Sequence, residues 1–247
     1  MALLDTEAIV LRTYNLGEAD KIVVCLTRGA GLVRAVARGC RKLRSRFGAA
    51  LEPFTVINIT CYFKEHQDLI SLRQAEILKS YFNLMSCPEI LAGLAYIGDL
   101  VIDFSPPYQQ NEKLFRMLRS CLQAIAASPA DLQLVQRYFE IWLLRLEGFL
   151  PDLRKCVECD RKFTERDKLF IGIDLGLRCH SCSHGGGSLL SQSAHAQLCV
   201  TQQLDPQRFA NESRNLSPKT HRELAELTHR MIGRVLERQP RLRQSFQ

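Results

Sequence analysis

Residues 21–38 read KIVVCLTRGAGLVRAVAR. Two β-rich runs flank the Gly-rich turn at 28–31, a pattern that predicts a β-hairpin. Because side chains alternate along a strand, the odd-numbered residues from Val33 to Ala37 share one face, and Arg34 and Arg38 lie on the other. The small odd-numbered residues suit a packed interior. The hairpin is therefore expected to present both arginines to solvent.

Further β-rich runs surround this hairpin, at 7–14, 54–63 and 68–76, and a turn at 64–67 joins the last two. Five short strands with a basic insert at 39–51, after the third strand, favour a small Greek-key barrel of the oligonucleotide-binding (OB) type. An SH3-like barrel is the alternative.

Beyond about residue 80 the apolar spacing becomes helical. Helices are predicted at 86–104, 111–127, 128–146, 189–201 and 217–237. Trp142 lies on the apolar stripe of the third helix, so we interpret it as a core residue rather than a base-stacking group. The fold class is therefore α+β, with an OB-fold domain at 1–79 and a helical domain at 80–247.

Two Cys-x-x-Cys pairs follow the third helix, and their spacing is typical of a four-thiolate zinc site. The predicted ligands are Cys156, Cys159, Cys179 and Cys182. A complete sulfur shell leaves no open position for water or substrate, which predicts one structural Zn²⁺ in an insertion at about 152–186. Two disulfides or a redox pair are alternatives, and His180 or His184 could replace a cysteine. The other six cysteines are interpreted mostly as small core residues.

The chain carries a net charge of +7, and its ten cysteines without a secretory segment favour the cytoplasm. No apolar run is long enough to span a membrane. Between Lys21 and Leu51 there is no acidic residue, so this basic block is either a solvated loop or an anion-binding surface. A second basic element near the end of the chain comprises Arg230, Arg234, Arg238, Arg241 and Arg243.

These features predict a nucleic-acid surface on the barrel, because arginine and lysine neutralise phosphates and aromatic rings stack on bases. The predicted DNA-binding residues are Arg34, Arg38, Arg41, Lys42, Arg44, Arg46 and Tyr62. Phe47, Phe54 and Phe63 are further stacking candidates, although Phe54 and Phe63 could belong to the barrel core and Phe63 is expected to.

Motifs of the common enzyme classes are absent from the sequence: it has no phosphate loop, no His-Glu-x-x-His and no dinucleotide fingerprint. The segment 184–187 resembles an esterase oxyanion loop but lacks the matching Gly-x-Ser-x-Gly elbow, so we interpret it as a linker. A non-catalytic binding protein is predicted. An RNA-binding or transcription-associated zinc-ribbon protein is the alternative to a DNA-binding one.

Three segments resemble the RecO family of recombination mediators: 31–39 (GLVRAVARG), 46–54 and 143–151 (LLRLEGFLP), the last leading into the cysteine pairs. Asp160 departs from the glycine that often follows the second cysteine in that family. The resemblance implies binding of single- and double-stranded DNA, strand annealing, and partnership with RecR. It also implies contact with the acidic C-terminal tail of single-stranded DNA-binding protein (SSB), help in loading RecA, and a cytoplasmic, nucleoid-associated location.

Overall fold

The computed structural model describes residues 2–63 and 69–236. They form two compact units, one extending to Leu132 and the other beginning at Gln133. The predicted domain division between residues 79 and 80 stays a prediction. The predicted turn at 64–67 and the three arginines from Arg238 onward lie outside the described residues.

The first unit contains a closed barrel of five strands. Its strands are β1 (Ala2–Leu16), β2 (Asp20–Thr27), β3 (Gly31–Ala37), β4 (Val56–Phe63) and β5 (Ile70–Lys79). The strand order is β1-β2-β3-β5-β4, and the long β1 closes the barrel because it pairs with both β2 and β4. The β3–β5 pair is parallel and the other pairs are antiparallel. The predicted α+β class with an N-terminal five-stranded barrel is confirmed.

Small and β-branched side chains fill the barrel, as the hairpin pattern predicts. Val33, Ala35 and Ala37 of β3 are buried in this core. The connection from β3 to β4 adds its own apolar residues, with Phe47 and Leu51 packed into the same cluster. A short 3-10 helix at Gly48–Leu51 carries Leu51 inward. The insert after the third strand is therefore anchored to the core and is not a free loop.

Two helices complete the first unit, α1 (Pro88–Phe104) and α2 (Glu112–Ala127). Pro88 suits the first helical position because its missing N–H has no partner there in any case. The Asn111 side chain caps α2 by accepting from the Leu114 N–H at 3.0 Å. Arg12 of β1 pairs with Asp99 of α1, which ties the helix to the outside of the barrel.

The second unit contains helices and a small antiparallel sheet. Its elements are α3 (Leu132–Leu146), β6 (Leu169–Ile171), β7 (Leu177–Cys179), β8 (Ser188–Leu190), α4 (Gln192–Thr201), α5 (Pro206–Ser213) and α6 (Pro218–Val235). Tyr138 of α3 packs on Phe209 of α5, and the Trp142 indole N–H donates to the Thr201 carbonyl at 2.9 Å. Within the described residues, no helix combines the length and apolar character needed to cross a bilayer.

Candidate nucleic-acid surface and metal centre

The first candidate site is a basic surface on β3 and the loop that follows it. It comprises Arg34, Arg38, Arg41, Lys42, Arg44 and Arg46, and all six are exposed. Strand alternation explains the first two, because their neighbours Val33, Ala35 and Ala37 occupy the core. Every residue predicted for this surface from charge alone therefore reaches solvent.

The loop of this basic surface is held at both ends. Gly39 has φ +70°, a conformation that favours glycine, and its N–H donates to Asp20 Oδ1 at 2.7 Å. The Arg41 backbone N–H donates to the Ala19 carbonyl at 3.0 Å, and its guanidinium donates to the Gly17 carbonyl at 3.1 Å. Buried Phe47 fixes the far end. The cations therefore extend from a loop whose backbone is fixed at both ends.

Most of these cations have no acidic counterpart. Arg34, Arg38, Lys42 and Arg44 form no ion pair with any residue that the structure describes. Arg46 places its guanidinium 4.9 Å from the centroid of the Phe47 ring. A cluster of like charges without counter-ions creates a positive potential, which suits a polyanion.

The aromatic candidates divide into one surface residue and two core residues. Tyr62 points outward from β4 and is partly exposed. Phe47 is only 3% exposed and Phe54 only 1%, so neither ring can stack on a base. For both residues the stacking prediction is wrong, and packing explains why: Phe47 packs into the barrel core, and the ring of Phe54 lies against Gly98 of α1. The side chain of Phe63 lies outside the described part of the chain.

Sequence reasoning missed Arg73, which stands beside Tyr62. Arg73 is exposed on β5, and its guanidinium lies 4.5 Å from the centroid of the Tyr62 ring. Its outward direction follows from buried Ile70 and Leu72. Alternation along the predicted fifth strand could have placed it on the surface, but only the tertiary structure brings it to Tyr62.

The second candidate site is the four-cysteine cluster of the second unit. The Sγ atoms of Cys156, Cys159, Cys179 and Cys182 all lie within 4.8 Å of one another. The Cys159 and Cys179 Sγ atoms are 4.0 Å apart. Tetrahedral zinc with Zn–S bonds of about 2.3 Å requires sulfurs about 3.8 Å apart, so the donor set fits such an ion. All ten cysteines are free thiols, and neither His180 nor His184 belongs to the cluster.

Two tight turns and the small sheet position these sulfurs. The Asp160 N–H donates to the Cys156 carbonyl at 3.0 Å, and the Ser183 N–H donates to the Cys179 carbonyl at 3.0 Å. The Val157 N–H donates to the Leu177 carbonyl of β7, which joins the first turn to the strand that carries Cys179. The predicted cysteine ligands are therefore brought together by local backbone hydrogen bonds.

Hydrogen bonds lower the pKa of two of these thiols, Cys156 and Cys179, whereas hydrogen bonding with the Cys179 and Cys159 thiols raises the pKa of Cys182 to about 12. Burial acts to raise the pKa of Cys156, but backbone N–H groups, including that of Cys179 at 3.5 Å, outweigh it and lower that pKa to about 6. Backbone hydrogen bonding at Cys182 and the Arg161 guanidinium lower the pKa of Cys179. Thiolates are the form that binds metal, so the lowered pKa values of Cys156 and Cys179 favour a bound cation at these two sulfurs. Arg161, which also pairs with Asp167 at 2.8 Å, was missed by sequence reasoning.

Comparison with known proteins covers nearly the whole chain. A family model described as "Recombination protein O N terminal" matches residues 1–81, and one described as "Recombination protein O C terminal" matches residues 86–244. The DNA repair protein RecO of Koribacter versatilis is 32% identical over 237 residues, covering 96% of this chain and 93% of that protein. The DNA repair protein RecO of Thermobifida fusca is 35% identical over 200 residues, covering 80% of this chain and 81% of that protein.

Proposed function

The chain belongs to the RecO family of recombination and DNA repair proteins, and we propose that it is a non-catalytic mediator that binds single- and double-stranded DNA. The observation that carries the proposal is the basic surface on β3 and its loop, where six exposed cations stand in an acid-free segment. Family membership supports a role in repair and recombination. The basic surface supports direct contact with the nucleic acid.

Binding by this surface is electrostatic and independent of base sequence. Each neutralised phosphate releases counter-ions, so affinity falls as salt rises. If about four phosphates of a single strand are neutralised, the logarithm of the binding constant falls with the logarithm of salt concentration at a slope of about −3. Contacts to the phosphates leave base edges free, and a strand held in this way can pair with a complement. Strand annealing follows from that geometry without any chemical step.

The proposed protein partners come from the family and not from any contact in this structure. They are RecR, the acidic C-terminal tail of SSB and, indirectly, RecA, whose loading on SSB-coated DNA the protein assists. A protein with these partners acts at the nucleoid, in the cytoplasm. Co-purification with RecR, and annealing of complementary strands with and without SSB, test this part of the proposal.

We further propose that the four-cysteine cluster holds one structural Zn²⁺. Four sulfur ligands close the coordination shell, so the ion would brace the turns at Cys156–Cys159 and Cys179–Cys182 without activating water. The proposed architecture is thus a DNA-binding domain at 1–79 and a helical domain at 80–247 with a zinc-binding insertion at about 152–186.

Replacing three surface cations tests DNA binding directly. We expect the triple variant Arg38→Ala, Arg41→Ala, Lys42→Ala to bind single-stranded and duplex DNA more weakly, because three phosphate contacts are lost. The salt slope on a single strand should become shallower by about 2. Fluorescence anisotropy of a labelled oligonucleotide at several salt concentrations measures both quantities.

The matched control removes three exposed cations elsewhere, Lys113, Arg116 and Lys219. This control variant should keep the wild-type affinity and slope. Equal losses in both triple variants would mean that net charge, and not this surface, drives binding. Competition with RNA of equal length separates the proposal from the RNA-binding alternative, which predicts that RNA displaces DNA.

A further inference from the structure

The four residues of the cysteine cluster differ in how far solvent reaches them. Cys156 is 0% exposed and Cys179 is 2% exposed, whereas Cys182 is partly exposed and Cys159 is exposed. All four are free thiols. A dissolved oxidant therefore reaches Cys159 most readily, while the two buried residues are shielded from it.

One of the buried sulfurs lies close to the exposed residue. The Cys159 and Cys179 Sγ atoms are 4.0 Å apart, although the two residues are 20 positions apart in sequence. A disulfide bond is about 2.05 Å long, so the two sulfurs need to approach each other by about 2 Å to form one. Cys159 belongs to the first turn of the cluster and Cys179 ends strand β7. The close pair therefore spans two separate segments of the insertion.

A bond between these two sulfurs differs in its consequence from a bond inside either Cys-x-x-Cys pair. A disulfide within one pair closes only a tight ring and leaves the two turns unconnected through sulfur. The bond from Cys159 to Cys179 joins the same two segments that the Val157 N–H joins to the Leu177 carbonyl at 3.0 Å. It would therefore hold the insertion together in the way that the proposed ion does.

We propose that Cys159 and Cys179 form a reversible disulfide when the protein meets a hydroperoxide, and that this bond replaces the metal ion as the brace of the insertion. The Cys159 thiolate attacks a peroxide oxygen, the O–O bond breaks, and the departing hydroxide takes a proton from solvent. The Cys179 thiolate then attacks the sulfur of the Cys159 sulfenic acid, and the S–O bond breaks. The second hydroxide also leaves as water, so the two sulfurs lose two electrons and one hydrogen peroxide is reduced to two waters.

The disulfide consumes two of the four sulfur ligands of the cluster. Two remaining cysteines cannot complete the four-sulfur shell of a structural site, so a bound ion would be released. A thiol reductant reverses the bond by exchange and restores all four thiols. Release of an ion rests on the proposed zinc site, whereas the disulfide depends only on the positions of the sulfurs.

Oxidation of the purified full-length protein with hydrogen peroxide tests the inference. Mass spectrometry with peptide fragmentation should find Cys159 linked to Cys179, and a colorimetric indicator should detect one equivalent of zinc released per disulfide. The oxidised protein should melt at least about 5 °C above reduced protein that has been stripped with a chelator, because the bond constrains the unfolded chain. Dithiothreitol together with zinc should restore four thiols and the bound ion.

Matched variants separate this bond from other oxidation. Cys159→Ser and Cys182→Ser each remove one ligand of the cluster, but only Cys182→Ser keeps both partners of the proposed bond. Cys182→Ser should therefore form the cross-link and gain melting temperature on oxidation, and Cys159→Ser should do neither. Cys87→Ser removes a partly exposed thiol outside the cluster and should behave as wild type.

The inference is overturned if peroxide leaves the cluster reduced, if it links cysteines only within each pair, or if it gives sulfinic acids in place of a disulfide. Equal gains in melting temperature for Cys159→Ser and Cys182→Ser also overturn it. A protein that binds zinc but never forms the bond contradicts this inference alone. A protein that forms the bond but never binds zinc supports the disulfide and contradicts the proposed metal centre, so the two failures are distinguishable.

Discussion

At the scale of single residues, Gly31 is a position where only glycine permits the backbone conformation and the close contact that the barrel requires. Gly31 begins β3 with φ +68°, and a Cβ atom there would lie 1.9 Å from the Gln109 carbonyl oxygen. The neighbouring Tyr108 N–H donates to the Leu32 carbonyl at 3.0 Å, which holds the segment before α2 against the start of the strand. The close approach and the positive φ both require glycine.

We therefore expect Gly31→Ala to lower the free energy of unfolding by more than about 2 kcal/mol, since it combines a left-handed backbone with a clash against backbone atoms. Gly17 provides the control, because it has φ +61° with no atom within 4 Å of the added Cβ. Gly17→Ala should lower the free energy of unfolding by only about 1 kcal/mol, because it incurs the cost of the left-handed backbone without a clash. Urea denaturation measures both, and equal losses would show that the Gln109 contact does not matter.

The same residue scale shows a limit of sequence reasoning. The turn at 28–31 was predictable from its glycines, but its contact with Gln109 was not, because those positions are far apart in sequence. Phe47 and Phe54 illustrate the same limit: the connection from β3 to β4 has no periodicity that could separate core from surface. Phe54 even adopts φ +61°, an uncommon conformation for an aromatic residue.

At the scale of secondary-structure elements, a buried polar network joins α3 to α6 in the second unit. Glu140 of α3 is 1% exposed and pairs with Arg137, while Thr228 of α6 also donates to its carboxylate. His229 Nε2 lies 3.5 Å from Glu140 Oε1. Burial acts to raise the pKa of Glu140, but Arg137, His229 and Thr228 outweigh it and hold that pKa below its ordinary value.

Glu140→Gln should lower the free energy of unfolding by about 3–5 kcal/mol, because it leaves Arg137 without its buried counter-charge.

The contribution of Glu140 to stability should depend on pH in a definite direction. A carboxylate whose pKa is lowered by folding stabilises the fold above its unfolded pKa, near 4.5, and that contribution is lost as the pH falls through the folded value. Thermal melts as a function of pH should therefore show the difference between wild type and Glu140→Gln shrinking in acid. Exposed Glu226→Gln is the control and should have little effect at any pH.

The elements themselves were predictable to different degrees, and length explains most of the difference. The hairpin, the barrel strands and the long helices α1, α3 and α6 carry clear periodicity over many residues. The three-residue strands β6, β7 and β8 are too short to show alternation, and they were missed. Helix α5 was also missed, although Asp205 caps it and Pro206 begins it, which is a recognisable start signal.

The candidate sites were predictable where their residues lie close together in sequence. Two cysteine pairs with the spacing of a zinc site identified all four clustered thiols, because each pair is local in sequence. Charge patterning located the basic surface for the same reason. Arg73 beside Tyr62, and Arg161 beside Cys179, depend on contacts between separate segments, which no local pattern encodes.

At the scale of the whole molecule, the two candidate sites lie in different compact units, so the proposed metal site and the proposed DNA-binding surface can be tested separately. The basic surface belongs to the unit that extends to Leu132, and the four-cysteine cluster belongs to the unit that begins at Gln133. Structural zinc in finger peptides contributes an apparent free energy of about 10–16 kcal/mol, and part of that energy would only hold the insertion if the proposed ion is bound at the cluster. Loss of metal should therefore damage the fold of the second unit more than the affinity of the first for DNA.

We expect Cys156→Ala, or treatment with a strong chelator, to remove one equivalent of zinc and to lower both solubility and the melting temperature, while single-strand affinity stays within about twofold of wild type. Metal analysis, calorimetry and anisotropy on the same preparations measure the three quantities. Cys121→Ala is the matched control, because Cys121 is fully buried outside the cluster and its loss removes packing without removing a ligand. A metal-free Cys156→Ala protein with a normal melting curve would contradict a structural role for the ion. A metal-free protein that melts early and also loses DNA would mean that the cluster supports the binding surface itself.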